Sequence, residues 1–98
     1  VKVETMNNVK MGKTTRTFKV TANAEGEKLC TENPKRAGIF AYNNGTDTVY
    51  VVHAQSVPYT EGWPVLKGET YTNYTTSAAL WVKTASGTQD VRGQEDGD

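Results

Sequence analysis

From Thr14 onward the chain alternates. In TTRTFKVTANA, Phe18, Val20 and Ala22 fall on one side of an extended backbone and Thr17, Lys19 and Thr21 on the other, the period of two that marks a strand with one buried face. Further on, AGIFAYN and TVYVVHA are rich in β-branched and aromatic residues and flank NNGTD. Asn and Gly supply the backbone freedom of a tight turn, so the stretch from Asn33 to Ala54 reads as a hairpin. In its second flank Val49, Val51 and His53 share one face and Tyr50, Val52 and Ala54 the other. Apolar side chains on both faces predict a strand covered from both sides.

The segment SVPYTEGWPVLKGE, with its prolines and glycines, reads as a long irregular connection holding a short apolar insertion at Val65 and Leu66. After the Lys67-Gly68 turn come ETYTNYT, AALWVKT and QDVRG, each bounded by Ser, Thr, Gly or Asn. No segment keeps a helical period over the length a stable helix needs. The expected strands are 14–22, 27–31, 37–43, 48–54, 69–74, 79–84 and 89–93. Their spacing of about ten residues predicts an all-β domain, a small antiparallel β-sandwich or partly open β-barrel.

Residues 1–13, with MNNVKMGK inside them, alternate poorly and read as an extended N-terminal arm. The β domain is expected over 14–93, and 94–98 as an acidic C-terminal tail. With 36% hydrophobic and 22% charged residues, the chain has the profile of a folded middle with polar ends. One domain of this size buries only about 60 to 65% of its unfolded surface. Eleven basic and eleven acidic residues cancel, so no global field draws the chain to nucleic acid or to anionic lipid. The charges are unevenly placed: Lys2, Lys10, Lys13, Arg16 and Lys19 face only Glu4 near the start, and Asp90, Glu95, Asp96 and Asp98 face only Arg92 near the end. No stretch approaches the roughly 18 apolar residues of a membrane span. No apolar leader opens the sequence, and the expectation is synthesis in a reducing cytoplasm.

The inventory for chemistry is thin. A single cysteine, Cys30, and a single histidine, His53, give neither an internal disulfide nor a multi-histidine metal site. His53 reads as a satisfied strand histidine and Cys30 as a small buried hydrophobe. The carboxylates are scattered through turns, without the pairing of acid and base work, and no phosphate loop or nucleophile elbow is present. The reading is therefore non-enzymatic, with no cofactor and no metal. The sequons at Asn44 and Asn73 read as chance matches in a Thr-rich and Asn-rich chain. The aromatic set Tyr59, Trp63, Tyr71, Tyr74 and Trp81 is more informative. Trp63 stands between a glycine and a proline, where its indole is available to stack on a sugar or anchor a protein interface. Trp81, between Leu80 and Val82, reads as strand packing.

From Pro34 to Gly93 the order NPKR, AGIFAYNNG, DTVYVV, SVPYTEGWPVLKGE, AALWVKTASGTQDVRG resembles a family of small bacteriophage virion proteins and appended virion domains. In that family an Arg opens the first hairpin strand, an N-G turn and a vYv strand follow, and a Gly-x-Pro-Leu-like segment with a Gly-Glu turn leads to lyv and DVRV strands. Arg36, Asn43 to Gly45, Val49 to Val51, Gly62 to Leu66, Gly68, Glu69, Leu80 to Val82 and Asp90 to Arg92 occupy those places. Gly93 departs from the pattern, standing where an apolar residue is usual, which predicts a weakened last strand. The long polar arm departs from it too. The resemblance implies a β-rich accessory component of a phage particle, made in the host cytoplasm and located in the virion. It would be a capsid decoration protein bound to the major capsid protein, or a head-tail or neck adaptor, acting as a homo-oligomer with a trimer favoured. The residues expected to meet a partner are Lys2, Lys10, Lys13 and Arg16 of the basic stretch, with Tyr59 and Trp63. The alternative is a carbohydrate-binding or receptor-binding module using Trp63, Tyr59 and nearby polar loops.

Overall fold

The computed structural model describes residues 14–97. The predicted arm, with Lys2, Lys10 and Lys13, lies outside the described residues. The described residues form eight strands: β1 Thr14–Ala22, β2 Glu27–Cys30, β3 Arg36–Asn43, β4 Val49–Val52, β5 Trp63–Val65, β6 Thr70–Asn73, β7 Leu80–Lys83 and β8 Gln89–Gly97. They build two four-stranded sheets, ordered β1-β8-β3-β6 and β2-β7-β4-β5, and the pairings within both are antiparallel. The sandwich expected from the alternation is therefore present. Only the β4-to-β5 connection stays within a sheet; every other connection crosses between the two. This winding is that of an eight-stranded jelly roll.

The core lies between the sheets. Ala22, Ile39, Ala41 and Val91 from one side meet Cys30, Val49, Val51, Val65, Leu80 and Val82 from the other, with Phe18, Val20 and Tyr71 packed at the margin. Cross-strand partners share a sheet face. The register that opposes Val20 to Val91 and Phe18 to Gly93 thus points the apolar positions of β1 and β8 inward together.

The predicted hairpin at Asn44-Gly45 is instead an arch. β3 pairs with β6 and β8, whereas β4 pairs with β5 and β7, so the NNGTD link carries the chain from one sheet to the other. Buried Asn43 organises the crossing. Its Nδ2 donates to the carbonyls of Asp47 and Val65, both at 2.8 Å, and its Oδ1 accepts the Gly45 N–H at 2.9 Å. Gln89 Oε1 accepts from the N–H of Thr46 at 2.7 Å and of Asp47 at 3.3 Å. Gly45 does not have the positive φ of a hairpin turn. A Cβ there would lie 2.0 Å from Gln89 Oε1 and push aside the side chain that accepts from Thr46 and Asp47.

Two boundaries also differ from expectation. β8 continues through the predicted acidic tail to Gly97, because β1 and β3 flank it on both sides and supply ladder partners as far as Gly97. β4 ends at Val52, leaving His53 exposed in a bend rather than within a strand. The chain after it folds back over the outer face of the second sheet. There the Tyr59 ring packs on Tyr50 at 5.0 Å between centroids, and Lys83 Nζ donates to the Val57 carbonyl at 2.7 Å. That covering explains why Val52 is buried. The segment read as irregular contains a single 3-10 turn, Tyr59–Glu61, and the short strand β5.

Candidate binding site

β5 and β6 are the edge strands on the same side of the sandwich, one in each sheet, and a groove of about 580 Å³ runs between them. Trp63 is paired with Val51 and lies two positions from Val65, so it projects from the face of β5 that buries both valines. At the edge of the sheet that direction leads out of the core and toward β6, leaving Trp63 67% exposed. Pro64 restricts Trp63 to extended backbone, and its missing N–H is tolerated on an edge strand. Gly62 lets β5 lie close against β4, since a Cβ there would be 2.8 Å from Val52 Cγ1.

Tyr71 and Asn73 face the indole from β6. Asn73 Oδ1 accepts the N–H groups of Thr75 at 2.9 Å and Thr76 at 3.1 Å, which fixes the orientation of its amide. Its Nδ2 then donates to the Tyr71 hydroxyl at 2.9 Å. With its oxygen already accepting, the phenol retains its own proton to donate. The side chains lining the groove are aromatic, amide or hydroxyl groups, and none is charged.

Around the edge of β6, Tyr74 packs edge-to-face on Phe40, with centroids 5.6 Å apart and planes at 81°. This contact leads onto the outer face of the first sheet. There Tyr42 stands opposite Arg92, and Arg92 opposite Lys19, beside a shallow depression of about 460 Å³. Tyr42 is 40% and Tyr74 69% exposed. Arg92 Nε donates to Asp90 Oδ2 at 3.0 Å, and Asn44 Nδ2 donates to the same oxygen at 2.8 Å. The Asn44 hydrogen bond is the main reason the Asp90 carboxyl lies below its usual range, with Arg92 adding to it against partial desolvation.

The residues singled out in the sequence are dispersed. Arg16 is engaged within the molecule: its guanidinium meets Glu95 Oε1 at 2.9 Å and lies 4.5 Å from the Phe18 ring centre. Arg36, whose side chain has no exposed surface, meets Glu95 Oε2 at 2.8 Å and donates to the carbonyls of Thr31, Thr76 and Ala78. Burial alone would raise the Glu95 carboxyl, but hydrogen bonds from Arg36, Arg16 and Asn33 outweigh it and hold the group below its ordinary 4.5. Tyr59 belongs to the outer face of the second sheet, whereas Trp63 projects from the opposite face, so the expected Tyr59 and Trp63 pair is not assembled. Cys30 is buried, and burial pushes its thiol up despite the nearby Arg36 charge. Trp81 is half-buried, with the Lys28 ammonium 5.2 Å from its ring centre. Sequence reasoning passed over Asn73, Phe40, Tyr42 and Arg92. The alternation in ETYTNYT does put Tyr71 and Asn73 on one face, but it could not say that β6 is an edge opposite Trp63.

No family model matches the chain, and a search of curated proteins finds no significant similarity.

Proposed function

We propose that this chain is a non-enzymatic structural protein of a bacteriophage particle, binding the major capsid protein and decorating or cementing the shell as a small homo-oligomer, in the simplest case a trimer. The observation that carries the reading is the outer face of the first sheet, where Phe40 and Tyr42 of β3 lie beside Arg92 of β8 and Lys19 of β1, with Tyr74, just past the end of β6, packed on Phe40. Aromatic side chains and arginine are enriched in protein interfaces and their hot spots, and a sheet holds them without the ordering cost of a loop. Repetition over a symmetric shell converts a modest interface into firm attachment through avidity. The resemblance of Pro34 to Gly93 to phage virion domains points the same way.

The test is the copy number of the chain in purified particles, by quantitative mass spectrometry against the major shell protein. A number comparable to the shell protein supports decoration. A number matching only the symmetry of a portal or tail replaces it with an adaptor role, and absence from particles overturns the virion reading. A Tyr42→Ala, Arg92→Ala double variant is expected to lose attachment while keeping its circular dichroism spectrum.

A further inference from the structure

We infer that the groove between β5 and β6 is a binding site for an uncharged sugar ring, with Trp63 as the stacking platform and the Tyr71 hydroxyl and Asn73 amide as its hydrogen-bonding wall. The inference does not rest on the shell-binding reading. It concerns the adjoining groove: Tyr74 borders both surfaces, but Trp63, Tyr71 and Asn73 take no part in the sheet face argued above.

Three observations converge on a sugar. The first is the indole, held out by Gly62 and Pro64 on an edge strand and 67% exposed. Leaving a Trp ring in water forgoes its burial energy, and a large exposed apolar surface bounded by polar groups marks an interaction site. The face of the ring carries negative quadrupole potential, which attracts the weakly positive C–H groups on one face of a pyranose. The second is the opposite wall. Asn73 is locked by the N–H groups of Thr75 and Thr76 and donates to the Tyr71 oxygen, leaving the Tyr71 proton and the second Asn73 amide proton free for acceptors in the groove. A polyol offers such acceptors around its ring. The third is charge: the lining has no Lys, Arg, Asp or Glu, so nothing there would offset the desolvation of a uronate, phosphate or sulfate. A site combining one aromatic surface with a few fixed polar groups follows the usual construction of small-ligand pockets. A proline-rich peptide also favours aromatic grooves, but it has few hydroxyl groups to use the donors on the β6 wall.

The test uses the full 98-residue chain, isotopically labelled with ¹⁵N and titrated separately with cellohexaose, maltohexaose, mannohexaose and chitohexaose. Hexagalacturonate and a polyproline decapeptide serve as controls. At least one neutral oligosaccharide is expected to shift the Trp63 indole N–H and Asn73 side-chain amide signals saturably, with the Trp81 indole signal unmoved. Trp63→Ala should weaken binding about tenfold or more, as loss of a central aromatic anchor does. Tyr71→Phe keeps the ring and the fold while removing the hydroxyl, and it should weaken binding several-fold, about the loss of one hydrogen bond. The inference is overturned if none of the four neutral oligosaccharides moves these signals, if the charged saccharide or the polyproline peptide moves them instead, or if both variants bind like the parent. Neither set of outcomes alters the particle copy number, so this inference and the virion reading fail independently.

Discussion

Phe18 lies across Gly93. The two are partners on β1 and β8, and a Cβ on Gly93 would sit 2.3 Å from both Cε1 and Cζ of the Phe18 ring. Gly93 therefore makes room for a ring from the neighbouring strand, and at this position the inner face of the sheet is filled from β1 rather than from β8. Gly93→Ala should destabilise the protein by about 1–3 kcal/mol through overpacking. Phe18→Ala should also destabilise it, and the double variant should lose less than the sum of the two single losses, because removing the ring relieves the clash. Urea unfolding of the four proteins measures all three quantities. Additive losses would show that the ring simply swings aside.

Asn43 holds the arch between β3 and β4 through two donated hydrogen bonds and one accepted. Asn43→Ala leaves the buried Val65 carbonyl and the part-buried Asp47 carbonyl without their donor and should cost about 2–4 kcal/mol. Asn44 is exposed, and truncating it should cost much less, although it is the residue that precedes Gly45 in the turn signal. Thermal unfolding of both variants discriminates the arch from the hairpin that the sequence predicts.

Glu95 gives the protein an acid limb. Its folded pKa is depressed below 4.5 by the guanidinium groups of Arg36 and Arg16 and by Asn33, against the opposing effect of burial. The associated stability is fully present above the unfolded value and is lost as pH falls through the lower, folded one. Glu95→Gln should cost about 3 kcal/mol near neutral pH, since it leaves buried Arg36 without its counter-charge. The variant's stability should also fall less steeply than the parent's below pH 4.5. Urea midpoints measured from pH 7 downward test both statements.

The Cys30 thiol is buried and pushed up by that burial, and the thiolate is the form that reacts. A disulfide reagent should modify it only slowly at neutral pH in the folded protein. The rate should rise together with the unfolded fraction as urea is added. Fast modification without urea would mean that the β2 edge opens locally.

The strands were legible because alternation reports burial directly: Phe18, Val20 and Ala22 mark β1 over its observed length, Thr14–Ala22. Sheet membership was not legible. Asn44-Gly45 has the chemistry of a hairpin turn, and what makes it an arch is a set of contacts from Gln89 and Val65, distant in the chain. The end of β8 was missed for a related reason, since Glu95 looks solvated until Arg16 and Arg36 are brought to it from two other strands. β5 was hidden by Pro64, which argues against a strand everywhere except at an edge. The candidate groove follows from both failures: Trp63 was visible as a residue, and its facing partners depend on which strands are edges.

The crossing connections also set an order of assembly. Within its sheet β1 has a single neighbour, β8, which is synthesised after the other seven described strands, and β8 also joins β1 to the β3-β6 pair. During synthesis the second sheet and the β3-β6 pair have all their strands before the first strand has any place to dock. The closing step joins the extremes of the described chain, Thr14 to Gly97, which places it among the slow, non-local pairings. A chain cut short before Gln89 would leave the alternating face of β1 without a neighbour in its sheet, so completion of the first sheet waits on one nine-residue strand.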